Sequence, residues 1–179
     1  MTRSIVIAVL ATLVQATPPT QPPAPAANVV ELGPMGPSPY NVVRGWQKPF
    51  AAPGFAFGGN SGVFAESPDR IWIAQRGEFR LPDPLPAGYG GFAGSIKMNV
   101  LTVVDRRVWQ NCLYTLDRNG NVRERWTEWD RLCEGSSGPG PHRIRISPYD
   151  PARRVWVINE TFNQIYVFSN DGKQLLKTL

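Results

Sequence analysis

Four side chains carry most of the chemistry this sequence offers: His142, its only histidine, Arg76, and the two cysteines Cys112 and Cys133. One imidazole alone makes no structural zinc site, and the local reading of His142 is a turn residue that caps a strand after Pro141. Arg76 opens the step Arg76-Gly77-Glu78. A guanidinium there either clamps a carboxylate in two hydrogen bonds or closes an ion pair with Glu78 or Asp69. Cys112 and Cys133 are candidates for one disulfide in an oxidising compartment, unless Cys112 simply faces the core. No Cys-x-x-Cys motif is present, which disfavours a thiolate zinc site.

Other motifs carry less. Asp117-Arg118-Asn119-Gly120-Asn121 resembles the front of a calcium loop, but the acidic residue at the far end is misplaced, and a type I′ hairpin turn explains it better. Asn159-Glu160-Thr161 fits the glycosylation pattern within a tight strand connection. Ser136-Ser137-Gly138 has no base beside it, so it offers no serine nucleophile. No phosphate-cradling glycine motif follows a strand and opens a helix.

The elements that must position these residues are strands. Residues 142–146, 154–158 and 164–168 are short runs of alternating apolar residues separated by turn chemistry: Ser147-Pro148-Tyr149-Asp150-Pro151, then residues 159–163, then Ser169-Asn170-Asp171-Gly172. Residues 173–178 offer a fourth strand, and four short strands in roughly 40 residues read as a propeller blade. The same grammar occurs upstream. Arg70-Ile71-Trp72-Ile73-Ala74-Gln75 aligns with Arg154-Val155-Trp156-Val157-Ile158-Asn159, each preceded by a Ser-Pro turn. Residues 112–126 match 164–177, each pairing two strands through Asn-Gly or Asp-Gly. The expected fold is therefore all-β, with about two four-stranded blades: a first over residues 55–130, carrying an insertion at 77–110, and a second over 140–179. Residues 98–104 offer an extra strand inside the insertion, and such insertions are where binding loops usually sit.

At 179 residues, with a 42% apolar fraction and six tryptophans, the chain supports one packed domain and not a disordered protein. Residues 1–16 join Arg3 to an apolar run and small residues, as in a secretory signal peptide. The run is too short to span a bilayer, so no stable membrane span is expected after cleavage. A proline-rich linker follows over 17–39, then the domain over 40–179, which is expected to be secreted or periplasmic. The net charge of +5 is spread over strands and turns, which points away from nucleic acid.

With strands, turns and export in place, the chain resembles the six-bladed β-propellers built from NHL repeats, and more narrowly the peptidyl-α-hydroxyglycine α-amidating lyase branch. The residues that carry the resemblance are Ile71 to Glu78, Cys112 to Trp126, Gly140-Pro141-His142-Arg143-Ile144-Arg145-Ile146, Val155 to Ile158 and Gln164 to Phe168. The likeness runs over residues 46–179. It implies a zinc ion held by three histidines from three blades, of which His142 matches the first, and a catalytic arginine, matched by Arg76. The remaining histidines and the catalytic tyrosine belong to later blades, which this sequence does not contain.

Three function classes follow. The first is a secreted binding propeller whose loops or axial face engage a protein, peptide or glycan. The second is a zinc-dependent amidating lyase, for which this chain supplies part of the site. The third is a structural chain with no activity of its own. Two blades leave open sheet edges, so further blades or oligomerisation are expected to close the ring.

Overall fold

The computed structural model describes residues 32–33, 36–37, 43, 45–48, 50–91, 93–98, 106–135 and 137–179. The expected signal peptide and nearly all of the linker lie outside these residues, as does the expected strand over 98–104 apart from Met98. The chain divides into two units, Met1–Arg44 and Gly45–Leu179. In the first, β1 (Leu32–Gly33) pairs antiparallel with β2 (Gly36–Pro37).

The second unit is all-β. Its strands are β3 (Phe55–Phe57), β4 (Asn60–Ser67), β5 (Arg70–Gln75), β6 (Glu78–Arg80), β7 (Arg107–Val108), β8 (Leu113–Leu116), β9 (Val122–Arg125), β10 (Pro141–Ile146), β11 (Val155–Asn159), β12 (Gln164–Phe168) and β13 (Leu175–Thr178). They form two four-stranded antiparallel sheets, β4-β5-β8-β9 and β10-β11-β12-β13, and a three-stranded sheet, β3-β6-β7. Each four-stranded sheet runs up and down in chain order. Only the first is interrupted, by the segment that supplies β6 and β7.

Alternation along β11 explains which face is inside. Val155, Val157 and Asn159 are buried, whereas Trp156 and Ile158 point to the other face. The inward set meets Ile144 and Ile146 of β10 and Tyr166 and Phe168 of β12. Across from it lie Phe64, Trp72, Ala74 and Leu113 of the first sheet, so the main core is the layer between the two four-stranded sheets. β10 lies directly against β4 and β5. Trp126 and Trp129, on the connection from β9 to β10, complete this core. Trp126 stands edge-on to Trp72 at 4.6 Å and to Phe168 at 5.6 Å. Each such ring, fully buried, contributes about 2–3 kcal/mol before its ordering entropy is subtracted.

The likeness between the two four-stranded sheets extends to their turns. Asp117 and Ser169 occupy matching places before β9 and β13, and each side chain accepts backbone N–H groups of its turn: Asp117 from Asn119 and Asn121 at 2.8 and 2.9 Å, Ser169 from Gln174 at 3.0 Å. Gly120 and Gly172 then take positive φ, 80° and 74°. Asn119 is not left-handed, so the first turn is not type I′, which requires two residues of positive φ. The Asp117 carboxylate holds the preceding residues in an ordinary turn and leaves the reversal to Gly120 alone. A side chain at Gly120 would strike the Trp46 carbonyl, and one at Gly172 would strike the Trp126 ring. An indole N–H donates into each of these turns, from Trp46 to Arg118 O at 2.9 Å and from Trp129 to Gly172 O at 2.7 Å.

The insertion builds a separate layer. β3 pairs with β6 and β6 with β7, so the first four-stranded sheet begins at Asn60. Ala56, Phe79, Ala93 and Met98 form a satellite core there, joined by Leu81, Tyr89 and Ile96.

Candidate functional site

The first strands of the two four-stranded sheets begin with the same irregularity. In β10, Pro141 faces Asn159 and Arg143 faces Ile158, which leaves His142 as an extra residue outside the ladder. In β4, Asn60 faces Gln75 and Gly62 faces Ala74, which leaves Ser61 in the same situation. A bulge of this kind re-aims a side chain away from the normal alternation, and it recurs beside functional sites. His142 is therefore a bulge residue inside a strand and not the cap of a turn.

The flanks are equivalent too. Glycine precedes each bulged strand, and its carbonyl accepts the N–H of the first residue after the second strand: Arg76 to Gly59 O at 3.0 Å, and Glu160 to Gly140 O at 3.0 Å. Ser61 Oγ donates to the Pro141 carbonyl, which joins the two bulges. At Gly62 a Cβ would come within 3.1 Å of Arg143 Cα and Ile144 N, so the absent side chain is what lets β4 and β10 approach here.

This geometry brings together three charged or ionisable side chains. Arg76 Nη2 lies 3.3 Å from Glu160 Oε2 and 3.5 Å from His142 Nδ1, although Arg76 and His142 are 66 residues apart in sequence. His142 Nδ1 forms a short hydrogen bond to the same Glu160 Oε2. Hydrogen bonding from His142, supported by the charge of Arg76, holds the Glu160 carboxyl below its usual range. The side chain of Arg76 is mostly covered, at 15% exposed, whereas His142 and Glu160 stand in solvent at 40% and 46%. A fixed guanidinium beside a half-exposed imidazole can bind a carboxylate or another anion and hold a hydrogen-bonding group next to it.

Neither ion pair expected for Arg76 forms. Glu78 is fully buried and accepts hydrogen bonds from the side-chain amides of Gln110 and Asn111. Asp69 pairs with Arg118, with oxygen to nitrogen distances of 2.6 and 2.7 Å. Asn159 is also buried, and its side chain donates to Leu132 O at 3.4 Å and accepts the Thr161 N–H at 3.1 Å. A glycan has no access to that amide.

Cys112 and Cys133 lie together in the core between the sheets, both as free thiols. The hydrogen bond that the Cys112 thiol donates to Cys133, together with burial and the nearby Asp130 carboxylate, pushes the Cys112 thiol well up from its ordinary range. Asp130 accepts the backbone N–H groups of Asn111 and Cys112, both at 2.8 Å. Burial nevertheless raises its carboxyl. These residues form an internal brace between the β8 start and the connection to β10.

Glu160 and Ser61 were not legible as site residues in the sequence. The signal for Glu160 was its matching position, since it follows β11 as Arg76 follows β5, but the glycosylation pattern masked it.

Zinc is implied only by the resemblance. Of the three histidines it calls for, this chain holds one, and its Nδ1 is taken by Glu160. These residues alone do not fit a tetrahedral zinc site, and among the described residues no group of three or more His, Cys, Asp or Glu is placed to hold a metal ion. Comparison with family models, curated proteins and solved structures gives no match. No helix among the described residues is long and apolar enough to cross a membrane.

Proposed function

We propose that the chain is a secreted or periplasmic NHL-type β-propeller segment that serves as a ligand-binding scaffold, with the Arg76, His142 and Glu160 cluster as its binding site. The propeller reading is supported by the two up-and-down four-stranded sheets packed face to face with β4 beside β10. The observation that carries the binding reading is that repeat-equivalent positions after β5 and β11 meet at one bulged strand end, placing a covered guanidinium beside a half-exposed imidazole. The ligand is a protein, peptide or glycan bearing a carboxylate, which the guanidinium receives.

The decisive experiment is a screen of the purified chain against carboxylate-terminated peptides and acidic glycans, repeated with Arg76→Ala and His142→Ala. Loss of the selected ligand in both variants, with unchanged circular dichroism, is the expected result. Full retention of binding in both would remove the cluster from function.

A second reading, a zinc-dependent amidating-lyase-like enzyme, is favoured by one specific observation. The two positions that the resemblance assigns, Arg76 and His142, lie 3.5 Å apart. Such an enzyme needs further zinc ligands from other blades or other copies. Metal analysis of the wild type beside His142→Ala separates the readings, because stoichiometric zinc lost in the variant supports only the lyase.

A further inference from the structure

We propose that Glu160 is the positioning residue of this site: its carboxylate holds His142 in the Nδ1–H tautomer and draws Arg76 alongside, so that the Nε2 lone pair of His142 is presented to the ligand. The proposal rests on the reading of this cluster as the binding site.

A neutral imidazole carries one N–H, and an ionised carboxylate only accepts. Since Glu160 Oε2 meets Nδ1, the proton must sit on Nδ1 for the contact to be attractive. The competing arrangement has Arg76 Nη2 donating to an unprotonated Nδ1 across 3.5 Å. That contact is long, and it would set the Nδ1 lone pair against the Glu160 carboxylate. Both contacts are charge-assisted, but such bonds are strong only when short, and it is the Glu160 contact that is short, so the carboxylate decides the tautomer. Arg76 is then satisfied by the same oxygen at 3.3 Å, and one carboxylate orients both groups. A carboxylate acting on the far nitrogen of an imidazole is a general way to fix which ring nitrogen is left for a ligand.

The placement of Glu160 is itself well determined. Its N–H is tied to Gly140 O at 3.0 Å. It lies between buried Asn159, which caps the Thr161 N–H at 3.1 Å, and Thr161, whose hydroxyl accepts the Gly140 N–H at 2.8 Å. The connection therefore locks onto the start of the strand that bulges at His142. The ligand group facing Nε2 must be a hydrogen-bond donor, such as a hydroxyl or an amide, while Arg76 takes an anionic group.

Because the chain has one histidine, a long-range 1H–15N spectrum of the uniformly labelled full chain contains a single imidazole pattern. At alkaline pH the expected pattern is pyrrole-like at Nδ1 and pyridine-like at Nε2. In Glu160→Ala the two shifts should move toward the Nε2–H form that free histidine side chains prefer. Glu160→Gln, whose amide oxygen still accepts, should keep part of the original pattern. A wild-type chain in the Nε2–H form would overturn the proposal without any variant, as would a Glu160→Ala spectrum identical to the wild type. An Nδ1–H pattern in a chain that binds no carboxylate ligand would sink the binding function and leave the role of Glu160 standing.

Discussion

Arg76 and Glu160 hold the same place in successive sheets, first after the second strand, and form an ion pair with each other at 3.3 Å. Matching positions thus carry opposite charges in the two four-stranded sheets. The pair is partly solvated, and exposed pairs contribute little to stability, so its use lies in orientation.

From this, Arg76→Ala should weaken ligand binding by about 10- to 100-fold, the loss of a charged hydrogen-bond donor, while the unfolding midpoint hardly moves. The exchange variant, Arg76→Glu with Glu160→Arg, should restore the ion pair without restoring binding. Isothermal titration beside thermal unfolding separates the two effects. Binding at wild-type affinity in the exchange variant would show that charge pairing alone matters.

Trp72 and Trp156 hold matching positions in the second strands of the two four-stranded sheets, in different surroundings. Trp72 is fully buried between the sheets, with its indole N–H on Glu66 at 2.9 Å, whereas Trp156 lies half-buried on the opposite face of the second sheet, near exposed Ile158. Trp72→Ala should cost about 3–5 kcal/mol. Trp156→Ala should cost well under half of that in this chain, as read by chemical denaturation. Equal costs would mean that another element covers the second sheet as the second covers the first.

The sheets were legible because their strands are long enough to show alternation and because the Arg-apolar-Trp-apolar run occurs at both Trp72 and Trp156. The β3-β6-β7 sheet was not, since strands of two or three residues such as Arg107–Val108 have no period to read. The bulges at Ser61 and His142 were hidden for another reason. A bulge is a property of register between two strands, and neither strand alone records it. For the same cause the sequence points Arg76 to a nearby partner, Glu78 or Asp69, whereas its partner in the fold is Glu160, 84 residues away. Asp69 had already been claimed by Arg118 through a turn-to-turn contact that only folding creates.

Acid should loosen the turn between β10 and β11. Asp150 receives Arg154 Nε at 2.8 Å and the backbone N–H groups of Ala152 and Arg154, each at 3.1 Å. Those donors, the Arg154 side chain foremost, lower its carboxyl to about 2. The unfolded chain therefore binds the proton first as pH falls. The contribution of Asp150 is present above about pH 4, the range of a free aspartate, and is lost as pH falls through the folded value. Thermal unfolding across this window should show a shallower acid slope in Asp150→Asn. An unchanged slope would assign the acid sensitivity to other carboxylates.

Cys112 and Cys133 are buried side by side as free thiols, and the export proposed for the chain exposes them to oxidation. We expect one intramolecular disulfide in material from an oxidising compartment, seen as the loss of two hydrogens in the intact mass. It would close a loop of about 20 residues, and the chain-entropy relation gives about 3 kcal/mol for such a closure. Reductant should therefore lower the unfolding midpoint of oxidised wild type and leave Cys133→Ala unmoved. In the reduced chain Cys112 should resist alkylation until unfolding, because the neighbouring thiol, burial and Asp130 all hold its proton. Two thiols that alkylate fully in denaturant without reductant, in secreted material, would show that the pair remains reduced and that the core between the sheets holds without a covalent link.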